Sequence, residues 1–181
     1  MARKVKITRD FLIDTAFQMT RKEGLHAVTA RRLAAQAECS TQPIFRLYRN
    51  MEELYQDVFK SALNFFSFYY KRFPKEEKEP FVNLGLCYIR FAQSEKELFR
   101  LLFLPEKSFG KSTYEILNGE EGIVVTEFER AERDGCRHSG ELFTKMWIFI
   151  HGAASMAVTG DYDLDEADTK KLLKEAYQAF K

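Results

Sequence analysis

Apolar residues recur at three- and four-residue spacing along most of the chain, and no stretch shows the two-residue alternation of a half-buried strand. Thr8 precedes an amphipathic run that stops at Gly24. Thr29 is a candidate N-cap, followed by Ala30, Leu33, Ala34 and Ala37 on one helical face. The pattern breaks at Glu38 and Cys39. Ser40 then offers a second N-cap, Pro43 falls in a first turn where its missing N–H costs nothing, and Ile44 and Leu47 point inward. Met51, Leu54, Tyr55, Val58, Ala62, Phe65 and Tyr69 mark a long helix that reaches Phe73 and ends near Pro74. After the charged connection Lys75 to Pro80, a helix over Phe81 to Phe91 continues past Ser94 toward Leu104, where Pro105 stops it. Between Lys107 and Gly122 the pattern is weakest, with a short helix around Thr113 to Leu117 in what reads as either a mobile or a ligand-adjacent loop, flanked by Gly110, Gly119 and Gly122. Helices over Glu120 to Asp134, Glu141 to Thr159 and Glu166 to Phe180, the last capped by Asp165, complete an all-α reading.

The two short helices between Thr29 and Tyr48 have the layout of a helix-turn-helix. Small residues on the first let the second cross closely, and the second leaves Thr41, Gln42 and Arg46 facing out. Those side chains suit a DNA major groove. Arginine donates two hydrogen bonds to guanine O6 and N7, and glutamine both donates to and accepts from adenine. A solvated helix face is the competing reading of the same residues.

Further marks surround this motif: ITRDFLIDTAFQMTRKEG from Ile7, Leu25 and Val28 leading into Thr29, the S-x-x-x-I-F-x-x-Y run at Ser40, and NMEELYQDVF from Asn50 to Phe59. Together they resemble the TetR family of bacterial transcriptional regulators over the N-terminal third of the chain. The resemblance implies a three-helix DNA-binding head, residues 1–50, on a helical dimerisation and ligand-binding body, residues 51–181. It implies double-stranded operator DNA as a partner, with Thr41, Gln42 and Arg46 reading bases. Pro43 and Phe45 would shape the contact, and Thr29, Arg31, Ser40 and Tyr48 would support backbone register or helix placement, Tyr48 having a core role as its alternative. Three positions depart from the family pattern. Glu38 stands where a turn glycine is usual, at a cost of roughly 1 to 2 kcal/mol if the turn keeps a positive φ. Phe45 replaces tyrosine and loses a phenolic donor to phosphate. Met51 replaces lysine at the start of the fourth helix, leaving phosphate contact more to Arg31, Arg32, Arg46 and Arg49.

Charge distribution agrees. Through Asn50 there are ten basic and four acidic residues, +6, so the remainder of a chain with 28 basic and 27 acidic residues carries 18 minus 23, or −5. A basic head suits a polyanion and makes binding steeply salt-dependent. No apolar run approaches the ~20 residues of a membrane span, and no hydrophobic leader follows the early basic residues, so the expected location is the cytoplasm. Cys39, Cys87 and Cys136 form no CxxC and leave an odd count, against a disulfide framework. Cys39 and Cys87 read as small packers. Cys136 beside Arg137 and His138 is a weaker candidate for a redox thiol.

The helix over Glu141 to Thr159 carries two adjacent apolar stripes, wider than one contact needs, with Gly152, Ala153, Ala154 and Ala157 permitting close approach. The expectation is a homodimer through Val124, Phe128, Met146, Ile150, Ala153, Ala154 and Ala157, which the resemblance makes a two-fold four-helix bundle. Among the body's many aromatics, polar groups mark a small-molecule site: Asn83, Tyr88, Gln93, Thr144 and His151, with Phe91, Phe103 and Trp147. Two other classes stay open. A regulator answering to a protein partner would have a filled body core. An enzyme has little to draw on, since Cys136 and His138 lack a triad context and His151 sits in an apolar helix. DYDLDEAD, Asp161 to Asp168, has Glu166 where a calcium loop needs glycine and Leu172 where it needs a bidentate glutamate, so no metal or other cofactor is expected.

Overall fold

The computed structural model describes residues 7–104, 109–119 and 122–181. Among these there are ten α-helices and no strand: α1 (Arg9–Glu23), α2 (Ala30–Gln36), α3 (Gln42–Leu47), α4 (Met51–Arg72), α5 (Val82–Ser94), α6 (Lys96–Phe103), α7 (Thr113–Asn118), α8 (Ile123–Arg133), α9 (Ser139–Thr159) and α10 (Glu166–Phe180). A 3-10 turn, Leu25–Ala27, links α1 to α2. The expected stop at Pro105 and the helix start at Glu120 lie outside the described residues.

Several boundaries follow from local chemistry. The Thr8 and Thr29 hydroxyls accept from the Phe11 and Arg32 amides, and the Asp165 carboxylate from the Asp168 amide, each satisfying an amide that the first helical turn leaves unpaired. Ser112 and Glu115 form a reciprocal capping box that starts α7. Ser40 does not cap α3. Thr41 occupies the cap position with helical backbone, and no side chain caps that helix. The reading of one helix continuing from α5 toward Leu104 is also corrected, because Glu95 leaves helical geometry and α6 starts afresh at Lys96.

The described chain forms two compact units, Met1–Phe65 with Glu97–Gly110, and Phe66–Lys96 with Lys111–Lys181. In the first, Leu12, Ala16, Val28, Leu33, Ile44, Tyr48, Leu54 and Val58 make a continuous core from α1 through α4. Burial of such side chains contributes roughly 1.5–3 kcal/mol each before the cost of ordering them. In the second, α5 packs on α9 and α10, and α8 on α7 and α9. Gly85 makes the first of these contacts possible. A Cβ there would lie 3.0 Å from an Ile150 methyl and 3.1 Å from one of Leu173.

Candidate nucleic-acid interface

The turn between α2 and α3 keeps the left-handed geometry normally given to glycine, with Glu38 at φ 51°. Its side chain is exposed, and the Cys39 amide reaches back to the Ala34 carbonyl at 2.9 Å. The reversal brings α3 back over the core. Ile44 is then completely buried, Leu47 is partly buried, and Gln42, Phe45 and Arg46 face solvent. Phe45 is 52% exposed, an aromatic face open to solvent beside Arg46. Thr41 and Pro43 are half-buried beside this set, while Ser40, Thr29, Arg31 and Arg49 are exposed. Arg32 is tied to Glu23 at 2.6 Å, which lowers the Glu23 carboxyl through that hydrogen bond and charge.

Tyr48 belongs to the core. It is 2% exposed, the Arg9 guanidinium lies 4.5 Å from its ring centre, and its hydroxyl donates to Asp57 Oδ2 at 3.2 Å. Burial, then the Asp57 charge, pushes the phenol up to about 12, so it stays a neutral donor. Arg9 also donates twice to Asp57 Oδ2, at 2.9 and 2.7 Å, and Lys60 lies 3.4 Å from the other oxygen. Burial alone would raise the Asp57 carboxyl, but the Arg9 hydrogen bond and charge, aided by Lys60, hold it below the usual carboxylate range. This bridge fixes the end of α3 against α1 and α4, and the sequence reading missed it. Tyr55 adds a second tie, donating from its hydroxyl to the Val28 carbonyl at 2.7 Å, one residue before α2 is capped.

The residues expected to line a ligand site separate into different environments. In the second unit, Tyr88 is fully buried, with its hydroxyl 3.0 Å from His151 Nδ1 and its ring 5.1 Å from that of Trp147. Burial raises the Tyr88 phenol and lowers His151, which favours a neutral phenol beside a neutral imidazole. Phe91 joins the same unit through an edge contact with Phe66 at 5.0 Å. Asn83 is buried, but its amide accepts from the Glu77 amide and donates to the Glu77 carbonyl, so it fastens the charged connection to α5. Thr144 is exposed and donates to Gly140 O. Gln93 lines a shallow site with Arg90 and Glu166, and Phe103 lies in the first unit.

The residues expected at a dimer surface pack inside the protomer. Val124, Met146, Ile150 and Ala154 are at most 2% exposed, Ala153 and Ala157 are buried, and Phe128 is half-buried between Phe81 and Phe143. The outer face of α9 instead shows Ile148 at 67% and Met156 at 48% exposure, with Gly152 between them and Val125 exposed on α8. The i, i+4, i+8 spacing of 148, 152 and 156 was the available signal, hidden by the two more populous stripes. The cysteines give no sign of redox chemistry: Cys87 and Cys136 are buried, and burial pushes the Cys87 thiol up to about 12. Among the described residues no cluster of histidine, cysteine and carboxylates could hold a metal, and no helix is long and apolar enough to cross a membrane.

Comparison with known proteins converges on the same region. Residues 12–58 match the model of bacterial regulatory proteins of the tetR family. No curated protein matches the chain. Among solved structures, a protein from Vibrio parahaemolyticus described as a TetR-family transcriptional regulator is 19% identical, with a TM-score of 0.67 over 94% of this chain and 97% of its own. A protein of unknown function from Rhodococcus sp. RHA1 is 17% identical, with a TM-score of 0.73 over 99% and 97%. A protein from Mesorhizobium loti assigned to the TetR family of transcriptional regulators is 14% identical, with a TM-score of 0.53 over 95% and 94%. At these identities the structural likeness establishes the fold, and the family match is confined to residues 12–58. The Thr29-capped α2, the glycine-like turn and the outward α3 face all lie inside residues 12–58, the stretch that is similar to bacterial regulatory proteins of the tetR family.

Proposed function

We propose that this regulator is a homodimeric repressor that reads a near-palindromic operator through α3 and releases it when a small, largely apolar molecule binds the second unit. The observation that carries the reading is the division of α3 itself. Ile44 is buried, while Gln42, Phe45 and Arg46 stand on the open side of a six-residue helix. Arg46 can donate a bidentate pair to guanine, Gln42 can pair with adenine, and Phe45 can meet a thymine methyl. Thr41 and Pro43 shape the approach. Thr29, Arg31, Ser40 and Arg49 lie exposed where phosphate contacts would fix register. Tyr48 supports this surface from beneath.

Two half-sites about one DNA turn apart, roughly 34 to 36 Å, require two copies. Ile148, Met156 and Val125 supply an exposed apolar face for pairing, and Gly152 lets a second helix approach closely. The buried set beneath it, from Met146 to Ala157, gives that face a rigid backing. Effector binding is assigned to the aromatic cluster of Tyr88, Phe91, Trp147 and His151, where one hydrogen-bonded polar pair lies among rings. A coupling of about 1 to 3 kcal/mol would lower operator affinity some 5- to 150-fold.

Selection from a pool of random duplexes at moderate salt tests the reading, with Gln42→Ala and Arg46→Ala in parallel. The expected result is an enriched palindrome whose preference relaxes at one position per half-site in each variant. Absence of enrichment at every salt concentration would reject operator reading by the free protein. A palindrome insensitive to both substitutions would move recognition away from α3.

A further inference from the structure

A cleft of about 500 Å³ is lined, among the described residues, by those of the first unit alone, none of them from α3. Its volume falls in the range of sites for drug-sized molecules, about 300–1,000 Å³. One wall is the turn after α1, with Gly24, Leu25 and His26, together with Glu52 and Tyr55 of α4. The other is α6, with Glu97, Arg100, Leu101 and Leu104, and Phe109 completes it. We propose that this cleft is a second binding site, for an organic monocation with a flat apolar body.

Shape and charge both point to that class. Two rings are already held in place: Tyr55 by its bond to the Val28 carbonyl, and Phe109 by stacking on Phe59 at 4.6 Å. Preset rings lower the ordering cost of binding and offer π faces to a cation. Leu25, Leu101 and Leu104 supply apolar lining. Among the described residues, the charged lining comprises the Glu52 and Glu97 carboxylates against the Arg100 guanidinium, two against one with histidine counted neutral. Arg100 donates to Glu97 Oε1, which holds that carboxylate in place. The Glu52 charge is also felt at Tyr55, whose phenol is raised first by burial and then by that carboxylate.

Gly24 keeps the carboxylate end of the cleft open. A Cβ there would lie 2.9 Å from Glu97 Oε2 and 2.8 Å from His26 Nδ1, and the backbone sits at φ 87°. A molecule filling the cleft would also press on Tyr55, and through it on the residue that leads into α2.

Binding is measured without DNA, so the outcome does not depend on the operator reading. The probes are 2-(1-naphthyl)ethylammonium, its neutral N-acetyl derivative and 3-(1-naphthyl)propanoate, titrated by calorimetry and followed by naphthyl fluorescence. The cation should bind at least about fivefold more tightly than the neutral probe, with the carboxylate weakest. Glu52→Gln, on an exposed side chain, should weaken the cation about two- to fivefold and leave the neutral probe unchanged. Leu104→Trp should fill the cleft and weaken both by at least about tenfold, with helicity and thermal midpoint retained as the folding control. Lys171→Ala, on the exposed face of α10 in the second unit, should change none of these values. No binding at millimolar probe, equal affinity for the carboxylate, or affinities that Leu104→Trp leaves unchanged would each overturn the proposal.

Discussion

Helix α3 buries Ile44 alone and turns Gln42, Phe45 and Arg46 outward, whereas the much longer α9 buries seven residues and turns Ile148 and Met156 outward. On the proposed function, the mixed chemistry of one helix serves reading and the exposed apolar side chains of the other serve pairing. The difference lies in how much of each helix the core needs. A short helix held by Ile44, by half-buried Leu47 and by the Tyr48 bridge at its end leaves Gln42, Phe45 and Arg46 open to solvent. In α9 most of the two stripes is taken up by the core of the second unit, with Met156 of the first stripe left exposed near Ile148.

The largest way to break this comparison is to remove the anchor of α3. Ile44→Ala should cost about 2–5 kcal/mol, because the site is fully buried and a cavity would remain. Phe45→Ala, one residue away, should change stability by less than about 0.5 kcal/mol while weakening DNA binding. Denaturant unfolding of the two variants gives the contrast directly, and equal losses would mean that α3 is not divided into anchor and reader.

Arg46→Ala comes next, with an expected loss of about 1–3 kcal/mol in operator affinity and relaxed preference at one base pair in each half-site. A loss that is uniform over all duplexes, with a shallower salt dependence, would reassign Arg46 to phosphate. For α9 the matching test is Ile148→Glu with Met156→Glu. Sedimentation should then report monomers whose melting is little changed, since both side chains are exposed within the protomer.

Glu38→Gly should raise stability by about 1 kcal/mol through relief of the left-handed backbone, less the added freedom of glycine in the unfolded chain. A lower thermal midpoint would show that the Glu38 side chain stabilises the turn in some other way.

The smallest effect concerns pH in the second unit. Burial depresses His151, so the unfolded chain takes up its proton first as pH falls. The stability this residue contributes is therefore complete above about pH 6.5, the unfolded value, and is lost as pH falls through the lower folded value. His151→Gln should flatten that part of the stability curve. An unchanged pH dependence would assign the slope to other groups.

Much of the DNA-reading end was legible because its determinants are local. Thr8 and Thr29 cap the helices they precede, the break at Glu38 takes the positive φ that the missing glycine implied, and Ile44 faces inward three residues before Leu47. Ser40 shows the limit of such reading. Residue type made it a cap, but the geometry of the turn put Thr41 in that position.

The sequence by itself determined an all-helical chain, the place of the helix-turn-helix and the outward placing of Gln42 and Arg46 on α3, though not of Thr41, which is half-buried, since periodicity and capping depend on neighbours within about one turn. Only tertiary structure decided which apolar stripe of α9 is interior, that Tyr48 joins Arg9 and Asp57, and that Asn83 fastens Glu77. It also decided that α6 completes the first unit, where its side chains and those of α4 enclose a cleft. These outcomes rest on contacts between residues distant in the chain. Periodicity states which face of a helix is apolar; what covers that face is settled by packing.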